Sequence, residues 1–136
     1  MEQRDYLLRQ AELFGQVLGK LLAKLLNLKN QEQSSAIEIT DQAFSEDLGL
    51  DINALTALDT NDLINLLIAE NKFSNENLER LADIFFIIAD NSSHEERNLL
   101  NKKCLAMYES VEMSDPTYSI NRQFKIEQIK NNFCIE

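Results

Sequence analysis

Glycine, proline and tryptophan are nearly missing from this chain: three Gly, one Pro and no Trp in 136 residues. A β-sandwich or barrel turns often and spends Gly and Pro at its turns, so their scarcity excludes that class and favours helices. Histidine occurs once and cysteine twice, with no CxxC pair. This excludes a disulfide scaffold and a Cys/His zinc centre. The two thiols read as reduced cytoplasmic cysteines, Cys104 as a small core residue and Cys134 as an exposed one. Nowhere does an apolar run approach the roughly 18 residues of a membrane-spanning helix. The opening MEQRDYLLRQ is charged and has no apolar stretch followed by a cleavage site, so no signal peptide is expected.

Basic charge is missing from the middle. The formal net charge is −10, yet residues 1–29 and 97–136 are slightly basic, while residues 30–96 carry fifteen acidic and two basic side chains. No Lys or Arg occurs between Lys29 and Lys72. Neutralising phosphates needs clustered cations, so a nucleic-acid partner is not expected. The acidic block reads as a solvated face, with a cationic partner as the alternative.

What is present is helical periodicity. The 136 residues, 44% of them hydrophobic, suit one all-α domain over 1–136, an antiparallel bundle or short tetratricopeptide-like array of about six to seven helices. Its parts are a long first helix over 4–29, a helical middle over 30–73, and a hairpin with a last helix over 74–133. In the first helix Leu7, Ala11, Phe14, Leu18, Leu21, Leu25 and Leu28 alternate steps of four and three, a heptad-like seam. Tyr6, Leu8, Leu13, Val17, Leu22 and Leu26 widen it past the stripe of an ordinary surface helix. The spacing therefore predicts cover on more than one side, by the chain itself or by a second copy. Gly15 and Gly19 share an edge of this helix, each costing about 1 kcal/mol against Ala. Close approach of another helix is the expected compensation, with Leu18 and Leu25 buried in a core or a dimer seam.

Beyond it the pattern predicts a helix over 32–48, stopped by Gly49, and a short helix capped by Asp51. The next begins at Asp59 or Thr60, with Leu63, Ile64, Leu67 and Ile68 inward. Ser74 caps a helix whose stripe is Leu78, Leu81, Ala82, Phe85, Ile88 and Ala89. A helix over 94–113 buries Leu100, Cys104, Met107, Tyr108 and Val111, and Asp115-Pro116 breaks the chain. The last helix, over 117–132, carries Ile120, Phe124, Ile126, Ile129 and Phe133.

Candidate chemistry is thin. DTNDLINLLIAE, 59–70, has the length of a calcium loop with Asp59, Asn61 and Glu70 in place. Its fifth position is Leu63, however, and Ile64 stands where the sharp turn needs Gly, so a helix is expected. His94 lacks the Glu-x-x-His spacing of a dinuclear carboxylate site, since position 91 is Asn. On one helix His94 and Cys104 lie roughly 15 Å apart, too far for a dyad. No phosphate loop occurs, and no metal or cofactor is expected.

Cys104-x-x-x-Tyr108-x-x-Val111, followed by Pro116, is similar to the second helix of a tetratricopeptide repeat. There small residues admit the paired helix, an aromatic fills the gap and Pro stops the helix. Ala82, Phe85 and Ala89 take the antiparallel role. The likeness covers one degenerate repeat, 76–116, with a connection through 91–97 longer than the repeat uses. Asp5-Tyr6-Leu7-Leu8-Arg9-Gln10, the Leu-rich continuation to Leu28 and the later hairpin together resemble a family of small, uncharacterised bacterial all-helical proteins. That resemblance implies a fold and no activity.

The sequence thus points to a non-enzymatic helical protein–protein interaction module. It would capture a helix or peptide, or associate with a second copy through Leu7, Phe14, Gly15, Leu18, Gly19, Leu21, Leu25 and Leu28. Two alternatives stay open. One is a peripheral membrane-surface protein, with Arg9, Lys20 and Lys24 on the polar side of the first helix, opposed by the net charge and by Glu12. The other is a small enzyme or ligand-binding domain with a pocket between helices, for which the sequence names no residues.

Overall fold

A computed structural model describes the backbone of residues 2–28, 36–70, 73–90, 92–115, 117 and 119–134, and within it all side chains but those of 2–8, 10, 11, 48, 70 and 132–134. Expectations for Tyr6, Leu7, Leu8, Ala11, Leu48, Pro116, Phe133 and Cys134 fall outside the described side chains. All seven described elements are helices: α1 (Glu2–Leu26), α2 (Ala36–Ala43, continued by a wide π turn over Phe44–Leu48), α3 (Ile52–Ala57), α4 (Thr60–Asn65, continued by a π turn over Leu66–Glu70), α5 (Asn75–Asp90), α6 (His94–Ser114) and α7 (Ile120–Cys134). The stretch 59–70 is helical after its capping residue, as its apolar pattern requires and a calcium loop could not be.

Local signals set the helix ends. Gly49 adopts φ +65°, the left-handed region open to Gly at little cost, and its N–H reaches the Phe44 carbonyl to close α2. Asp51 Oδ1 accepts from the Asn53 N–H at 3.0 Å, Asp59 Oδ1 from the Thr60 N–H at 2.9 Å and Ser74 Oγ from the Asn77 N–H at 3.1 Å. Each satisfies an amide that a helix start leaves without a partner.

Helix α5 is the centre. Asn77, Leu78, Leu81, Ala82, Ile84, Phe85, Ile88 and Ala89 are all buried; at 100° per residue they span about 160° of its circumference, a broad inward face. Its closest partner is α6, antiparallel to it: Cys104 Sγ donates to the Ala82 carbonyl at 3.1 Å, and Arg97 Nε to the Ala89 carbonyl at 3.1 Å. The connection between them is residues 91–93 alone. The connection is shorter than the 91–97 expected for the repeat-like hairpin, because α6 begins at His94, as the helix predicted over 94–113 requires, with Ser93 capping it through the Glu96 N–H.

Helix α1 lies along α5 on the other side. Phe14, Leu18, Leu21 and Leu25 are buried, Leu18 at 0% exposure and Leu25 at 4%, and Phe14 meets the Phe73 ring at 5.5 Å. Among the described side chains, the cover that the chain itself gives α1 is one-sided: Leu13 and Leu26 are 59% and 68% exposed, with Val17 and Leu22 half-buried. A single face of α1 therefore meets the core. The edge glycines differ as well. A Cβ on Gly15 would stand 2.9 Å from Asn77 Oδ1, whereas one on Gly19 would meet nothing within 4 Å. The close helix approach expected at both occurs at Gly15 alone.

Three further positions depart from expectation. Ile68 is 39% exposed, whereas Leu63 and Leu67 are buried and Ile64 and Leu66 pack partly against the core. Ile120 and Phe124 are exposed on α7, where Arg122, Ile126 and Ile129 form the inward stripe and Phe124 sits about 200° round from either Arg122 or Ile126.

Candidate interaction surface

Polar side chains converge most densely where α5, α6 and α7 meet. Arg122, 5% exposed, donates from Nε to Glu112 and from Nη1 to Glu79, and from Nη2 to the Thr117 carbonyl at 2.7 Å. One turn on, Asp83 accepts from the Tyr108 hydroxyl and from Lys125 Nζ at 2.8 Å, while Lys125 Nζ stands 6.0 Å from the centroid of the Phe86 ring. Acids at i and i+4 on α5 thus meet bases at i and i+3 on α7. These complementary spacings are visible in the sequence, but only once the two helices are known to be neighbours.

The electrostatics close this cluster. Burial opposes the charge on Arg122, but Glu112 and Glu79 outweigh it and hold the guanidinium above its ordinary range. Burial first, then the nearby Asp83 carboxylate, pushes the Cys104 thiol up. Burial likewise raises the Tyr108 phenol, helped by Cys104 and Asp83. A nucleophilic cysteine needs a thiolate, and Cys104 keeps its proton, donating it to a backbone carbonyl. Arginine and both acids, tyrosine and lysine all have partners within the protein. The arrangement clamps α7 onto the hairpin.

At the hairpin's other end Arg97 caps α5, donating to the carbonyls of Ala89, Asp90 and Ser92. Burial raises the neighbouring Asp90 carboxyl, with Arg97 acting the other way.

Of the residues expected to form an association face, Phe14, Leu18, Leu21 and Leu25 lie in the chain's own core, Gly15 faces α5, and Leu28 is partly buried against the core. Gly19 faces open space, and the Leu7 side chain lies outside the described ones. Among the described residues, the large apolar side chains left on the surface are elsewhere or off the seam: Leu13, Leu26, Ile68, Leu99, Met113, Ile120 and Phe124.

Two of these line an open groove of about 400 Å³ between α4 and α6. Asn61, Ile64, Asn65 and Ile68 form one wall and Ala106, Glu109, Ser110 and Met113 the other. Both walls run i, i+3, i+4, i+7, so each helix turns the same face to the gap over two turns. A second groove, also about 400 Å³, separates α1 from α2, with Lys20 and Lys24 on one side and Glu46 and Asp47 on the other. Among the described residues no group of His, Cys, Asp and Glu could hold a metal ion, and no helix is long and apolar enough to cross a membrane.

Compared with protein-family models, curated proteins and solved structures, the chain matches none of them.

Proposed function

We propose that this chain is a non-enzymatic helical interaction module of the cytoplasm that binds another protein through apolar surface outside its own core. The observation that carries the reading is the placement of large apolar side chains. The fold satisfies its polar clusters internally, yet leaves Met113 at 89%, Ile120 at 73% and Phe124 at 58% exposure. Exposed apolar groups of this size, on the last turn of α6 and the first turns of α7, are what a partner helix would cover.

Helix α1 serves the core in this reading. Leu13 and Leu26 stand about 140° apart around its axis, so they form no continuous stripe for a second copy or for a lipid surface. The membrane alternative is tested by flotation with anionic vesicles, where the protein stays at the bottom of the gradient; co-flotation would establish that alternative.

The test of the main reading is photo-crosslinking in the source cells, with a photoreactive residue placed at Met113, at Phe124 or, as a control, at Glu38 on α2. The expected outcome is one discrete protein adduct from Met113 or Phe124 and none from Glu38. No adduct at any apolar surface position would overturn the reading.

A further inference from the structure

The groove between α4 and α6 has a shape and a charge that specify an occupant. Its apolar lining is Ile64, Ile68, Ala106 and Met113. Positions seven apart on each wall span about 10 Å, which matches two to three turns of an incoming helix. The i, i+3, i+4, i+7 order on both walls leaves a furrow into which a third helix can lay its own apolar stripe, as ridges enter grooves. Met113 is the most exposed large apolar side chain among the described residues, and methionine adapts readily to an incoming surface.

The one charge that lines the groove is acidic. Glu109 is its only charged lining residue; outside the lining, Asp59 caps α4 and Asp62 stands exposed on it. No base occurs on the α4 side between Lys29 and Lys72. On α6, Lys102 stands exposed one turn before Ala106 on the groove's own face, at its end rather than in its lining, and Lys103 is buried. A partner with basic residues flanking its apolar stripe gains attraction along the middle of the furrow, and an acidic one is repelled.

We propose that the α4/α6 groove docks a short cationic amphipathic helix of a partner protein. This rests on the reading of the chain as an interaction module and names both the surface and the chemistry of its partner. Asn61, Asn65 and Ser110 supply the polar rim, and Ile64, Ile68 and Met113 receive the partner's apolar side chains.

The experiment uses the full chain and two fluorescein-labelled, helix-stapled peptides of about three turns. Both carry Leu at i, i+3, i+4 and i+7; one has Lys at the remaining positions and the other Glu. Fluorescence anisotropy should show saturable binding of the lysine peptide, weakened by salt, and none of the glutamate peptide. Ile68→Asp and Met113→Asp should each weaken binding at least about tenfold. Both side chains stand in solvent, and circular dichroism verifies that the variants keep their helices. Glu109→Lys should weaken binding about fivefold, while Glu38→Lys, the same charge change away from the groove, should alter it less than about twofold.

Equal binding of the two peptides, an unchanged affinity in the Ile68 and Met113 variants, or equal effects of the two Glu→Lys variants would each overturn the proposal. If neither peptide binds but a Met113 or Phe124 crosslink forms in cells, the partner class is wrong and the interaction reading stands. If both fail, the interaction reading falls with it.

Discussion

Gly15 of α1 lies so close to Asn77 of α5 that a methyl group on it would sit 2.9 Å from Asn77 Oδ1 and 3.0 Å from Arg80 Nη1. Asn77 is 2% exposed and holds Arg80 Nη1 at 3.2 Å, so it has little room to yield. Gly19, one turn on, meets nothing. Gly19→Ala should therefore raise stability by about 1 kcal/mol, the ordinary helix gain. Gly15→Ala should forfeit that gain and fall at least about 1 kcal/mol below it. Urea midpoints of the two variants check the difference, and equal stabilisation would mean that α1 and α5 are not in close contact there.

The seam of α1 makes a second, sharper contrast. Leu18 has no exposed surface, while Leu26 is 68% exposed. Leu18→Ala should cost about 3 kcal/mol by opening a cavity, and Leu26→Ala less than about 0.5 kcal/mol. The same denaturation series reads both.

Helix α7 is held through Arg122. Arg122→Ala leaves Glu79 and Glu112 facing each other without their cation, at a cost of about 2 kcal/mol. That figure lies below the usual range for a buried pair because the two carboxylates are 33% and 29% exposed. The combined variant Arg122→Met, Glu79→Gln and Glu112→Gln removes the stranded charges and should recover part of the loss. Amide exchange across 120–134 should accelerate in Arg122→Ala and slow again in the triple variant.

Stability should fall at alkaline pH. Cys104 and Tyr108 ordinarily titrate near 9.0 and 10.0, and burial raises both in the folded chain. Above those values the unfolded chain releases protons that the folded chain retains, so unfolding becomes easier as pH rises. Below about pH 8 neither group contributes a slope. The urea midpoint should drop from about pH 9 upward, and Cys104→Ala should remove the earlier part of that decline.

Much of the helical framework was legible in the sequence, because apolar spacing and capping residues act locally. Asp51 and Ser74 cap where their positions require, Gly49 ends α2, and the buried stripes of α5 and α6 follow their periodicity residue by residue. Legibility stopped where the outcome depends on which helices become neighbours. An apolar residue at helical spacing does not reveal which side of its helix will be covered, so Leu13, Ile68, Ile120 and Phe124 could not be separated from their buried neighbours. The clamp at Arg122 was hidden for the same reason: Glu79 and Arg122 are 43 residues apart, and neither belongs to a local pattern. The candidate groove joins α4 to α6 and exists only after folding.

The central claim is that this chain spends the seam of α1 inside its own core and keeps its surface apolar residues for a partner of different sequence. Light scattering of the purified chain at high micromolar concentration tests it most directly. The account predicts the monomer mass, 15.6 kDa, unchanged across dilution; a mass near twice that value, falling on dilution, would contradict it.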